Sequence, residues 1–182
     1  MRPALIFIIT TIAQLYLFVM LLRFWLPFLR ADFRNPISQG ILRLTSPLIV
    51  PVRRIVPPIA RLDTATVVVA FAIQCLTIYV VLAIGGASSP FAPIAVTAFV
   101  DLILLSLNLF KFAIFIYVIL SWVAPGTYNP VTAFITMIVQ PVLQPFRRLI
   151  PPIGMLDLSA LIALIALHAT SIFVATLRPL PI

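Results

Sequence analysis

Long apolar runs alternate with shorter segments rich in proline and arginine along the 182-residue chain. Each run reaches the length of about 20 residues that a helix needs to cross a bilayer. The third run is too long for one simple crossing, so we expect a short interfacial lead-in before its span. The pattern predicts an all-α membrane protein with four transmembrane helices. We expect these spans at about residues 4–29, 64–84, 102–123 and 158–177.

The first run does not have the form of a signal peptide. It is longer than the apolar core of such a peptide, and it ends at Arg23, Trp25 and Arg30, as a helix ends at a membrane interface. We therefore predict a transmembrane helix here.

Composition excludes a soluble domain, because 63% of the residues are apolar and only 9% are charged. The net charge of +8 lies mainly on arginines that flank the apolar runs. In that position they favour anionic lipid head groups, and not nucleic acid, as the partner. The single cysteine, Cys75, cannot form a disulfide within the chain.

Two segments, 35–63 and 129–157, align without a gap at an offset of 94 residues and are identical at 12 of 29 positions. Internal repetition of this kind indicates a duplicated structural unit. We therefore predict two tandem repeats, residues 1–94 and 95–182. The shared positions that define the candidate motif face are Asn35, Pro36, Arg53, Arg54 and Asp63 in the first copy and Asn129, Pro130, Arg147, Arg148 and Asp157 in the second.

The paired pattern N-P, then P-x-x-x-P-x-R-R-x-x-P-P, then L-D follows an apolar helix in each copy. It resembles the YggT family of small bacterial membrane proteins, which is related to YlmG and to plastid homologues. The resemblance covers nearly the whole chain and implies a multi-pass membrane protein. It also implies an association with osmotic tolerance, with division or envelope organisation, and in plastids with the assembly of cofactor-containing complexes.

Each copy opens and closes with a helix-capping signal. Asn35-Pro36 and Asn129-Pro130 place an N-cap residue before a proline that suits the first helical position. Asp63 and Asp157 each precede an apolar run directly, where a carboxylate meets free N–H groups and the positive end of the helix dipole. Between these signals we expect a short amphipathic helix lying in the interface, with a re-entrant hairpin as the alternative.

Prolines within each copy predict the end of that helix. Pro47 and Pro141 are expected to break the hydrogen-bond ladder. Arg53-Arg54 and Arg147-Arg148 stand between further prolines, which predicts an extended backbone. The arginine pairs have two interpretations, interfacial anchoring to anionic lipid and a docking face for a partner protein. Anchoring explains the charge, whereas docking explains why both copies hold the arginines in the same frame.

The distribution of arginines predicts the orientation. The segments 30–63 and 125–157 carry eight, and the opposite side carries only Arg2 and Arg178. The positive-inside rule therefore places both motif copies in the cytoplasm and both termini in the periplasm of a bacterial inner membrane. Repeats that point the same way are parallel repeats.

Polar residues recur near the middle of the spans. Gln74 corresponds to His168 at the offset of 94, and Gln14 corresponds to Asn108, or to Lys111 if the two tryptophans are aligned instead. Polar groups at this depth need partners, so they should face inward. They serve either interhelical hydrogen bonding, the favoured interpretation, or a polar path or binding site.

No nucleophile triad, glycine-rich phosphate loop or metal-spaced cluster can be assembled from four acids, one histidine and one cysteine. We therefore expect no enzyme, no catalytic residue, no metal site and no cofactor. His168 could bind haem, but two-histidine ligation would need two chains, and a core histidine is favoured. Lys111 needs Asn108, a carboxylate from another helix, water or a neutral state.

These observations predict a non-enzymatic organising or assembly factor of the inner membrane. Its partners would be anionic lipid head groups and a membrane or cytoplasmic protein, with a second copy of the chain as a further candidate. One alternative is a small ion-flux protein whose path is lined by Lys111, His168, Gln74 and Asn108, although the sequence shows no ring of charge for a pore. The other is an assembly factor for a haem- or cofactor-containing complex.

Overall fold

The computed structural model describes residues 2–29, 32–59, 62–123, 129–149 and 157–180. These residues form helices and connecting turns, apart from one isolated β-bridge between Ile59 and Leu62. Four of the helices, Arg2–Trp25, Thr64–Gly85, Phe91–Val123 and Leu158–Ala175, are long and apolar enough to cross a membrane. The described residues thus confirm the predicted all-α fold, with four candidate spans. The helices are α1 (Arg2–Trp25), α2 (Pro36–Arg53), α3 (Thr64–Gly85), α4 (Phe91–Val123), α5 (Pro130–Leu149) and α6 (Leu158–Ala175).

The third span and its lead-in form one continuous helix of 33 residues. At 1.5 Å per residue α4 is about 50 Å long, more than the ~30 Å hydrocarbon core requires. Pro93, the only proline within α4, lies in the first turn, where the missing N–H breaks no hydrogen bond. The predicted stop signal at Pro125 and Gly126 lies outside the described residues.

The predicted helix breaks at Pro47 and Pro141 are wrong. Helix α2 continues through Pro47 and Pro51 to Arg53, and α5 continues through its own two prolines. These prolines are exposed and four residues apart, so the carbonyl groups that lose a donor lie along one outward side of each helix, where water or head groups can bind them.

The predicted extended backbone at the arginine pairs is also wrong, because both helices continue through their prolines. Arg53 is the last residue of α2, Arg54 has helical dihedral angles as its C-cap, and Arg147 and Arg148 lie within α5. The arginines therefore project from the ends of helices.

Packing divides the bundle into two groups of helices that meet through α4. Helix α1 packs mainly against α3, and α4 packs against α6, α5 and α3. Helix α2 contributes Ile49 to a core with Leu17 and Met20 of α1, while α5 contributes Ile138 and Leu143 to the core around α4 and α6. The outer surfaces of the spans expose large apolar side chains, as surfaces that face lipid do; examples are Phe7, Leu15, Phe99 and Phe115.

Candidate functional site

Each proline–arginine segment ends in an ion pair between residues ten positions apart. Arg53 Nη2 lies 2.5 Å from Asp63 Oδ2 in the first segment. In the second, Arg147 binds Asp157 Oδ2 through Nη2 at 2.6 Å and Nε at 3.1 Å. Each pair joins the last turn of α2 or α5 to the residue that precedes the next span. The ion pairs therefore fix both segments relative to the membrane helices.

A second, buried arginine also contacts the aspartate of the first ion pair. Arg23 of α1 is only 4% exposed, and its Nε lies 3.4 Å from Asp63 Oδ2. Its Nη1 donates to Thr45 Oγ1 at 2.8 Å, to Ser46 Oγ at 3.2 Å and to the Leu42 carbonyl oxygen at 3.3 Å. A single guanidinium thus joins α1, α2 and the start of α3. From the sequence, Arg23 was expected only to mark the interfacial end of a helix.

A tyrosine occupies the corresponding place at the second ion pair. Tyr117, 94 residues after Arg23, accepts a hydrogen bond from Arg147 Nη2 at 3.1 Å. The Arg147 guanidinium carbon also lies 5.8 Å from the centre of the Tyr117 ring, within cation–π range. The first carboxylate therefore faces two cations, whereas the second faces one cation that a phenol supports.

Asp63 is held in its charged form. Burial raises the pKa of Asp63, but the Thr66 hydroxyl and the charges of Arg53 and Arg23 lower that pKa by more. Thr66 Oγ1 has no hydrogen-bond partner within reach among the described atoms, so we attribute the lowered pKa mainly to the two arginines. Asp63 stands at the N-cap position of α3 but makes no side-chain cap hydrogen bond.

Asp157 is also held in its charged form, with a different set of partners. Burial raises the pKa of Asp157, and hydrogen bonds from Ser159 and Arg147 lower it by more. Its Oδ1 accepts from the backbone N–H of Ser159 at 3.1 Å, the predicted cap of α6, and also from the Ser159 hydroxyl. For Arg147, burial lowers the pKa, but the hydrogen bonds to Tyr117 and Asp157 raise it above its ordinary value.

The second arginine of each pair faces outward. From the sequence, all four arginines were expected on one motif face, for either lipid anchoring or docking of a partner protein. Arg53 and Arg147 form ion pairs within the chain, although the Arg53 side chain is still 43% exposed. Arg54 and Arg148 are both exposed, and neither makes an ion pair with any residue that the structure describes.

The two segments also touch at their starts. Asn35 Oδ1 accepts from the Ile37 N–H at 2.9 Å, and Asn129 Oδ1 accepts from the Val131 N–H at 2.9 Å, so both asparagines cap their helices. Asn35 Nδ2 donates to the Pro130 carbonyl oxygen at 2.8 Å. This bond joins the first turn of α5 to the start of α2, which places both segments on one side of the bundle.

Three of the predicted intramembrane polar residues line a single cavity of about 430 Å³: Gln14, Gln74 and Asn108. Thr10, Thr77, Asp101 and Arg178 complete its polar lining. Gln74 Nε2 donates to Asp101 Oδ2 at 2.8 Å, and Arg178 Nη2 lies 2.5 Å from Asp101 Oδ1. This ion pair was not predicted from the sequence, although an aspartate inside an apolar run is itself a signal that a partner is needed.

The other two predicted polar residues lie elsewhere. Lys111 Nζ lies 3.0 Å from Ser171 Oγ and joins α4 to α6, a partner that the sequence analysis did not consider. His168 is exposed on α6, so the expectation of a core histidine at this position is wrong. Within the described ranges no group of three His, Cys, Asp or Glu residues could hold a metal ion.

Comparison with known proteins supplies a family. A family model described as CCB3/YggT matches residues 3–84 and again residues 96–178. The chain is similar to an uncharacterised protein of Pseudomonas aeruginosa, with 43% identity over 176 residues that cover 96% of this chain and 89% of that protein. It is also similar to an uncharacterised protein of Vibrio alginolyticus, 40% identical over 89% of this chain and 88% of the relative. The uncharacterised Escherichia coli protein YggT is 32% identical over 93% of this chain and 88% of its own length. No solved structure matches.

Proposed function

Because the chain belongs to the CCB3/YggT family, we propose that it is a non-enzymatic organising or assembly factor of the bacterial inner membrane. It acts through the motif surface, which we define as the side of the bundle that carries Arg54, Arg148 and the exposed prolines of α2 and α5. Its partners are anionic lipid head groups and a membrane or cytoplasmic protein. A second copy of the chain is a further candidate.

The observation that supports this proposal most directly is that the two arginines of each pair have different partners. Arg53 and Arg147 are held by aspartates that directly precede α3 and α6. The adjacent Arg54 and Arg148 are therefore presented from fixed helix ends, although each is exposed. A guanidinium that only set orientation would need no such support, because positive-inside orientation depends on charge alone. Fixed presentation suits recognition of phosphate or carboxylate groups.

Two tandem parallel repeats are part of the proposal. The family model matches the chain twice, over residues 3–84 and 96–178, and the ion pairs recur at the same offset of 94 residues. Both segments then lie on the same side of the membrane, and the excess of arginine on that side favours the cytoplasm. Each exposed arginine near anionic lipid contributes about 1 kcal/mol to binding.

The alternative of an ion-flux protein rests on the polar cavity around Gln14, Gln74 and Asn108. A path across the membrane would also have to include Lys111 and His168, and neither belongs to the lining of that cavity. The cavity contains the Asp101–Arg178 ion pair, which neutralises the only carboxylate there. The arrangement therefore favours a structural role for these polar groups, and an organising or assembly role for the protein.

Growth of a bacterial strain that lacks its own family member tests the proposal. We expect wild type to restore growth at high osmolarity and the Arg54→Ala/Arg148→Ala variant to fail. The control, Arg2→Ala, removes an exposed arginine at the start of α1, away from the motif surface, and should still restore growth. Both variants should keep the wild-type melting temperature, because none of the three side chains is buried. If both variants restored growth equally well, the motif surface would not be needed for the function.

A further inference from the structure

Helix α5 carries a polar stripe beside an open cavity of about 1040 Å³. Successive members are four residues apart, so each lies about 40° further round the helix than the one before, and the stripe winds gradually around α5. All of them line the cavity, together with Leu29 and Arg147. The stripe consists of Thr132, Thr136, Gln140, Gln144 and Arg148.

A second cavity of about 760 Å³ opens between α1, α3 and α4 and is almost wholly apolar. Along α4 its lining extends from Phe110 to Phe99, eleven residues, or about 16 Å along the helix axis. Thr66 and Ser106 are the only polar residues of the described lining, and Ser106 Oγ already lies 3.5 Å from Trp25 Nε1. Water needs two or more polar partners, so this cavity suits an apolar occupant.

The two cavities adjoin, because Leu29 and Pro141 line both of them. The cavity beside the polar stripe lies against the amphipathic helix α5, and the apolar cavity lies among the spans. A polar group and an apolar chain on one molecule would fill both. That is the chemistry of an amphiphile.

The positive charge beside α5 favours a ligand with an anionic head group. Arg147 is paired with Asp157, whereas Arg148 has no ion pair among the described residues. The cavity beside α5 thus offers one uncompensated guanidinium, with the amides of Gln144 and Gln140 about one and two turns before it on the helix. A phosphate accepts two parallel hydrogen bonds from an arginine and further bonds from amide donors.

The apolar cavity of about 760 Å³ is open on one side, so an apolar chain can enter it from the surrounding bilayer. An acyl chain is narrower than a helix and is present at high concentration around any membrane span.

We propose that one anionic glycerophospholipid binds here, with its phosphate at Arg148, Gln140 and Gln144 and one acyl chain in the apolar cavity. The proposal deepens the proposed function, because it rests on the same motif surface. The corresponding stripe of α2, at the offset of 94, is Ser38, Leu42, Ser46, Val50 and Arg54. It lacks the two amides, so the lipid belongs to the second segment only.

Native mass spectrometry of the purified full chain in a mild detergent tests the head-group part. The probes are phosphatidylglycerol, which is anionic, and phosphatidylcholine, which has no net charge. We expect wild type to retain one phosphatidylglycerol in preference to phosphatidylcholine. Arg148→Gln should weaken retention of phosphatidylglycerol about fivefold, the effect of ~1 kcal/mol. Arg54→Gln, the matched control, should leave it unchanged.

Two tryptophan substitutions test the acyl-chain part. Val67→Trp on α3 and Ile103→Trp on α4 both lie in the lining of the apolar cavity and should reduce retention. Leu76→Trp, on an exposed position of α3 outside that lining, should not. Wild-type melting temperatures would exclude misfolding, and having two filling variants keeps the test decisive if one of them fails to fold.

Several results would overturn the site. Equal retention of both lipids, or equal loss in Arg148→Gln and Arg54→Gln, would mean that lipid coats the protein without a specific site. Retention of an added transmembrane peptide in place of lipid would mean that a partner helix occupies the cavity. The growth assay tests the proposed function separately from the lipid site. If wild type retains phosphatidylglycerol but Arg54→Ala/Arg148→Ala still restores full growth, the proposed function is wrong and the lipid site is supported.

Discussion

Arg23 and Tyr117 lie 94 residues apart and take corresponding places beside the two arginine–aspartate ion pairs. Arg23 donates to the aspartate of the first pair, whereas Tyr117 accepts from the arginine of the second. The first site therefore carries a net positive charge inside the protein, and the second is neutral. This difference predicts that the two sites respond differently to mutation.

We expect Asp63→Asn to lower the melting temperature more than Asp157→Asn. The side chains of Asp63 and Arg23 are only 8% and 5% exposed, so loss of the carboxylate leaves a buried guanidinium without a counter-charge. Breaking a buried pair in this way costs about 3–5 kcal/mol. The Asp157 side chain is 24% exposed, and the Arg147 that it would leave behind is 31% exposed and keeps Tyr117.

The measurement is thermal unfolding in detergent, followed by tryptophan fluorescence. Asp32→Asn, at an exposed carboxylate, serves as the control and should melt like wild type. Equal losses for Asp63→Asn and Asp157→Asn would contradict the distinction between the two sites.

Acid should destabilise the protein through the same carboxylates. The folded protein lowers the pKa of both Asp63 and Asp157 relative to an ordinary carboxyl group. Their contribution to stability is therefore complete above the unfolded pKa of about 4, and it is lost as pH falls through the lowered folded values. We expect the melting temperature to be level from pH 7 to about pH 5 and to fall steeply below about pH 4.

The double variant Asp63→Asn/Asp157→Asn provides the comparison for this pH profile. It should start lower and lose less of its melting temperature in acid, because its amides do not titrate. An acid decline as steep as that of wild type would assign the effect to the remaining two acids, Asp32 and Asp101.

Lysine substitution should separate the two arginines of each pair. Arg53→Lys/Arg147→Lys should lower the melting temperature, because Arg147 binds Asp157 and Tyr117 through two nitrogens that lysine does not provide. Arg54→Lys/Arg148→Lys should melt like wild type and restore growth only in part, since lysine keeps the charge but lacks the planar fork. Melting and growth at high osmolarity measure the two effects. Full rescue by the second variant would leave simple anchoring as the role of these residues.

The membrane helices could be predicted from sequence because hydropathy and helix length are local properties. Asp157 was expected to cap its helix, and it does. Asp63 satisfies the same local pattern, yet its carboxylate binds arginines on α1 and α2 and makes no cap hydrogen bond. The competing partner, Arg23, is 40 residues away, and its position depends on helix packing that no local pattern contains.

The proline segments were mispredicted for a different physical reason. Sequence reasoning applied the cost of each proline as if its lost hydrogen bond were buried. The four-residue spacing of Pro47 and Pro51 places the unpaired carbonyl groups on the exposed side, where that cost is small. The spacing was visible in the sequence, and it would have favoured a continuous helix had it been combined with the amphipathic pattern.

Orientation can be measured directly with single cysteines in a Cys75→Ala background. Gln39 on α2 and Ser88 in the α3–α4 turn are both exposed, so a cysteine at either position accepts a label. If the motif surface is cytoplasmic, a membrane-impermeant maleimide added to intact spheroplasts should label Ser88→Cys but not Gln39→Cys. Lysed membranes should label both, which controls for reactivity. The reverse pattern in spheroplasts would invert the orientation, and the positive-inside argument would be wrong for this chain.

The contact between Lys111 and Ser171 predicts an asymmetry between its two partners. Ser171 is buried, and its hydroxyl already donates to the Leu167 carbonyl oxygen at 2.8 Å, so loss of Lys111 leaves the serine satisfied. Loss of Ser171 instead leaves an amine within the membrane with no partner among the described residues, and an unsatisfied buried donor carries a larger penalty, about 1–3 kcal/mol or more if charged. Ser171→Ala should therefore lower the melting temperature more than Lys111→Met does, and Lys111→Met should rescue Ser171→Ala in the double variant. Thr170→Ala, at an exposed hydroxyl one residue away, is the matched control. A lower melting temperature for Lys111→Met than for Ser171→Ala would mean that the amine stabilises the bundle through more than this one bond.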